Sequence, residues 1–157
     1  MTNKLNGIAV LALIGVVAFG TLAASGQSLA DSERNSPVGT WLTTVTFVNC
    51  TTGSVIRTFP TMNTFNAGGT MLETPRSLAQ RSPGHGAWER TMGNEYTSVF
   101  KFFRSNADGT DNGYQIVRRW HVLEDDGLST TAVFQNYDAA GLPTTSGCAV
   151  ESATRLR

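Results

Sequence analysis

Eight short runs of alternating polar and apolar residues, separated by glycine-bearing turns and with no helix-length segment between any two, leave this chain few ways to fold. Alternation with a period of two places the runs at roughly 39–50, 56–66, 70–74, 86–91, 95–104, 113–124, 128–137 and 144–155. The turns carry Thr52-Gly53, Ala67-Gly68-Gly69, Gly93-Asn94, Asp108-Gly109, Asp126-Gly127 and Ala140-Gly141. These residues tolerate positive φ, which a strand needs in order to reverse within a few positions. Parallel pairing requires crossovers of about a dozen residues or more, usually helical, and no segment supplies one. The expectation is an all-β domain, an eight-stranded antiparallel up-and-down β-barrel whose interior holds packed side chains or one small ligand.

The segment ahead of the barrel has a different character. Lys4 precedes an apolar stretch, Ile8 to Phe19, too short to span a bilayer comfortably, and Ser28-Leu29-Ala30 offers small residues for cleavage. We expect a signal peptide at 1–30, a flexible lead-in at 31–37 and the barrel domain at 38–157. The mature protein is then secreted or periplasmic and meets a membrane only through its transient signal peptide. Past residue 30 the chain holds 11 basic and 12 acidic residues, a balance that argues against nucleic acid as a partner. In an oxidising compartment Cys50 and Cys148 are expected to pair, closing nearly the whole domain. A monomer or weak oligomer is expected.

Alternation also sketches the lining. Trp41 inward brings Thr43, Val45 and Phe47 to the same face. Tyr96, Ser98, Phe100 and Phe102 follow, because the opposite phase would bury the ammonium of Lys101. Phe65 and Trp88 join them. The sixth strand is ambiguous: one face shows Ile116, Arg118 and Trp120, the other Val117, Arg119 and His121. Either phase aims one arginine inward, where it needs Glu73, Glu89 or a ligand carboxylate as partner. The phase of that strand stays open, and the expected ligand contacts are Phe47, Phe65, Trp88, Tyr96, Phe100, Phe102, Arg118 and Trp120, around one small hydrophobic or amphipathic molecule. Two other readings stand beside this one. His85 or His121, oriented by Glu73 or Glu89, would suit a small barrel cyclase or isomerase acting on an apolar substrate. A dry, packed core would suit a secreted interaction module that uses outward residues such as Phe103. No catalytic residue, cofactor or metal is assigned, since there are only two histidines and Asn106 to Asp111 lacks the spacing of a calcium loop.

Connection lengths orient the barrel. The third connection, Pro75 to His85, and the fifth, Ser105 to Asn112, are long and fall at the same end as the first and seventh. That end is the expected mouth, with Arg76, Arg81 and Pro83 in a stiffened lid. Closure makes the first and eighth strands neighbours. If Cys50 stands opposite Cys148, Trp41 stands opposite Arg157, with Arg155 one diagonal step away.

The Gly39-Thr40-Trp41 start, the eight-strand meander and a C-terminal arginine near that tryptophan resemble the calycin superfamily, and its lipocalin-like branch in particular, over Val38 to Arg157. The resemblance implies that Trp41 plugs the closed end and that Arg155 or Arg157 packs across its indole. The stretch Ser82-Pro83-Gly84-His85-Gly86-Ala87-Trp88-Glu89 is similar to small exported bacterial lipocalin-like proteins. The chain departs from typical lipocalins in having no Thr-Asp-Tyr motif at a later turn and no helix after the eighth strand. It resembles a minimal barrel.

Overall fold

Once one row of each strand is apolar or small and the other polar, a sheet of eight strands buries the first row by curling until its edges meet, which also leaves no edge open to another chain. The computed structural model describes residues 35–157; the expected signal peptide and residues 31–34 of the lead-in lie outside the described residues. The strands are β1 (Gly39–Val48), β2 (Val55–Phe65), β3 (Thr70–Pro75), β4 (Gly84–Met92), β5 (Glu95–Ser105), β6 (Asp111–Glu124), β7 (Gly127–Tyr137) and β8 (Pro143–Arg155). Each pairs antiparallel with the next, and β8 pairs back onto β1, so the sheet is a closed barrel.

The closing register differs from the expected one by two residues. Trp41 lies opposite Arg155 and Val48 opposite Cys148. The reason is local: Cys50 belongs to the β1–β2 turn rather than to β1. Asn49 caps that turn, its Oδ1 accepting from the amides of Thr51 and Thr52 at 2.9 and 3.0 Å. The Cys50–Cys148 disulfide therefore reaches from the turn to β8, across a Cα separation of 5.3 Å. A slip of two preserves which face each residue occupies, so Trp41 remains inside.

Trp41 is fully buried at one end of the barrel, and its indole nitrogen donates to the Pro37 carbonyl at 2.7 Å. The Arg155 guanidinium lies 4.3 Å from the indole centre, a cation–π contact worth about 1 kcal/mol, and donates to the carbonyl of Ser36 at 2.7 Å. The Tyr96 hydroxyl donates to the Asn35 carbonyl at 2.8 Å. Asn35 to Pro37, expected as the end of a flexible lead-in, are thus bonded across the closed end. Arg157 is mostly exposed and pairs with Asp126, so Arg155 alone packs on Trp41.

Inside, β1 and β5 follow the expected phases, with Lys101 outside over the Tyr114 ring at 3.6 Å. In β6 the structure takes the other phase: Gln115, Val117, Arg119, His121 and Leu123 face inward, while Arg118 is exposed and Trp120 is 50% exposed on the outer wall. The expected inward placement of Arg118 and Trp120 is corrected accordingly.

Candidate functional site

The middle of the barrel is a polar plug built from residues on five strands. Arg119 on β6 is buried, with its Nε 3.0 Å from Glu151 Oε1 on β8. Its Nη1 donates to Asn63 Oδ1 on β2 at 2.9 Å, and Asn63 in turn donates to Thr43 Oγ1 on β1 at 2.8 Å. Phe100 lies under the guanidinium, 4.3 Å from ring centre to carbon. A second pair joins Glu73 on β3 to Arg81, which enters from the β3–β4 connection and lies 3.5 Å over the Phe102 ring. Burial holds the carboxyls of Glu73 and Glu151 above their ordinary pKa, and the neighbouring guanidiniums offset only part of that rise. The partner of the inward arginine is therefore Glu151, whereas Glu73 serves Arg81 and Glu89 is exposed on β4.

His121 sits one step below. Its Nε2 is 2.8 Å from Ser98 Oγ and its Nδ1 is 2.8 Å from Thr130 Oγ1, with the Phe65 ring edge-on at 5.5 Å. Burial, reinforced by the charge of Arg119, lowers its pKa from 6.5 to about 3, so the ring is neutral at ordinary pH. Two hydroxyls occupy both ring nitrogens of a neutral imidazole, one acting as donor and the other as acceptor. His85, the other histidine, is exposed on β4 opposite Lys101 and Leu72. The two histidines are on opposite sides of the wall.

Above the plug the barrel opens. A cavity of about 910 Å³ occupies the end formed by the first, third, fifth and seventh connections, the end expected to be the mouth. Below it, only about 30 Å³ is left among the plug residues, room on the order of one water. The apolar lining of the mouth is Phe47, Phe59, Phe102 and Phe134. Phe47 stacks on Phe134 at 4.9 Å and meets Phe59 edge-on at 5.2 Å. Gly147 makes this packing possible, since a Cβ there would stand 2.3 Å from the Phe134 ring. Most of the remaining lining is polar, including Gln115, Asn136, Thr145 and Ser146, and it contains four arginines, Arg57, Arg76, Arg81 and Arg104.

One wall of the mouth is the β3–β4 connection. It is pinned to β5 by Ser82 N to Phe103 O at 2.9 Å, Ser105 N to Gln80 O at 3.0 Å and Phe103 N to Ser82 Oγ at 3.0 Å. The segment read as a lid is thus a fixed rim, and Arg81 separates the open cavity from the space below.

Of the eight residues expected to touch a ligand, the structure brings only Phe47 and Phe102 to the mouth cavity. Phe100 lies beneath it in the plug. Phe65, Trp88 and Tyr96 gather at the closed end, where Trp88 meets both Phe65 and Tyr96 edge-to-face. Arg118 and Trp120 lie with Val99 along a shallow groove on the outer wall. Sequence reasoning missed Phe59, Arg57 and Phe134. The signal for the first two was present: counting back in steps of two from inward Phe65 through Asn63 and Thr61 reaches both. Set against known proteins, the chain matches no family model, no curated protein and no solved structure.

Proposed function

We propose that this chain is a secreted lipocalin-like carrier that seats one small hydrophobic or amphipathic molecule in the open end of its barrel. The observation that carries the reading is the contrast between the two halves of the interior: about 910 Å³ of open space over four phenylalanine rings, against about 30 Å³ below. A concave site is the usual form of a small-molecule site, and here an aromatic floor lies beneath a largely polar rim, which suits an amphipathic molecule. The Cys50–Cys148 disulfide is consistent with an oxidising compartment, as export requires. In this reading the ligand rests on Phe47, Phe59, Phe102 and Phe134 and does not pass the Arg81–Glu73 pair. The plug fixes the depth of the site and the strands set its width.

Titration with N-phenyl-1-naphthylamine, a neutral probe that fluoresces in apolar surroundings, tests the reading. Saturable binding of one probe per chain is expected, lost when Ser146→Trp fills the mouth from its rim. No binding, or equal binding by the filled variant, would leave the barrel as a packed interaction module.

A further inference from the structure

Resting on that reading of the open end as a ligand site, we infer that its ligand is an anion, an aromatic or similarly flat apolar body carrying a carboxylate. The described residues hold ten basic and ten acidic side chains, yet four of the ten basic ones line the mouth cavity and none of the acidic ones does. Arg81 is already paired with Glu73. Arg57, Arg76 and Arg104 have no carboxylate within 4.0 Å among the described residues.

The acidic residues near this end are engaged elsewhere. Asp108 accepts from the amide and hydroxyl of Thr110, Asp111 from the amide of Gly113, and Asp138 from the amides of Ala140 and Leu142. These bonds hold the turns and keep the carboxylates on them. The opposite end carries charges of both signs, Glu95, Glu124, Asp125 and Asp126 beside Arg90, Arg155 and Arg157, the last two paired with Asp126. The charged side chains that line the cavity itself are thus all cations, and a concave site lined by one sign of charge draws in a ligand of the other.

Arg57 sets the geometry. Its guanidinium lies over the Phe47 ring, 4.6 Å from its centre, and 5.2 Å from the centre of the Phe59 ring. A ligand seated in the cavity beside these rings meets this cation. The planar fork of a guanidinium takes a carboxylate through two parallel hydrogen bonds, and the aromatic face beneath keeps the fork oriented.

Calorimetric titration of the mature, oxidised protein with 2-naphthoate and with 2-naphthamide at neutral pH separates charge from shape. The carboxylate is expected to bind at least about tenfold more tightly than the amide, the ratio that charge-assisted hydrogen bonds supply. The preference for the carboxylate over the amide is expected to narrow as salt is raised and to vanish in a variant carrying Arg57→Gln, Arg76→Gln and Arg104→Gln. Equal affinities in the native protein would overturn the anion inference and leave the carrier reading standing. A preference that survives both high salt and the triple substitution would also overturn it, and failure of both ligands to bind would remove the two together.

Discussion

Arg119 and His121 occupy positions where an apolar side chain would be the ordinary choice, and both are tolerated because residues distant in sequence complete them. The Arg119 and Glu151 side chains are 2% and 3% exposed. Removing one member of such a pair leaves the other desolvated without its counter-charge, so Arg119→Met is expected to cost about 3–5 kcal/mol, and adding Glu151→Leu to restore most of it. Urea unfolding of the single and double variants checks this. His121 makes a separate prediction in pH. The unfolded chain takes up this proton near 6.5 and the folded chain only near 3, so between those values the unfolded state binds more protons and acid favours unfolding. Stability from the neutral ring is complete above pH 6.5 and is lost as pH falls. The raised carboxyls of Glu73 and Glu151 act with the opposite sign, contributing stability at low pH that is lost as they ionise. Comparison with His121→Gln isolates the histidine. The native protein should lose about 3 kcal/mol more than the variant between pH 7 and pH 4 in denaturant titrations at each pH.

Gly86 and Gly147 each allow a close approach between neighbouring strands, and they differ in what gives way. At Gly86 on β4 a Cβ would stand 1.9 Å from the Val99 carbonyl oxygen and 2.6 Å from Phe100 Cα, both backbone atoms of β5. At Gly147 on β8 it would meet only the far end of the Phe134 ring. Gly86→Ala must therefore separate two strands and is expected to cost at least the roughly 1–3 kcal/mol typical of overpacking. Gly147→Ala can be absorbed by swinging Phe134 into the open cavity, so the melting temperature should move little while affinity for N-phenyl-1-naphthylamine falls. Thermal melts and probe titrations of the two variants distinguish a structural glycine from one that shapes the mouth. The β3–β4 connection behaves as part of β5 through its hydrogen bonds to Phe103 and Ser105, so the rim and the barrel wall should exchange their amide hydrogens together.

For the molecule as a whole, the ring closed by Cys50 and Cys148 spans 98 positions, and opening it restores the freedom of most of the barrel domain when unfolded. Cys50→Ser with Cys148→Ser is expected to lose on the order of 4–5 kcal/mol, read from guanidinium unfolding with the native protein under oxidising and reducing conditions as controls. Strand number, strand ends to within two residues, the closed antiparallel order and the position of the mouth were all legible from alternation and turn residues, because these depend on neighbours along the chain. So was the inward phase of β1 and β5, where burying Lys101 settled the choice. The phase of β6 was not. Its outer row, with Ile116, Trp120 and Val122, is more apolar than its inner row of Gln115, Arg119 and His121, so a reading by hydrophobicity points the wrong way. What turns Arg119 and His121 inward is Ser98 and Thr130 on the two strands that flank β6, together with Glu151 and Asn63, which only closure of the barrel brings to Arg119. The same long-range assembly moved the site: the sequence alone determined a barrel with an inside and an open end, whereas the filling of its middle by those ion pairs, which confines free space to the arginine-rimmed mouth, was decided by the tertiary structure, since polar groups can be buried only where partners from elsewhere in the chain arrive to satisfy them.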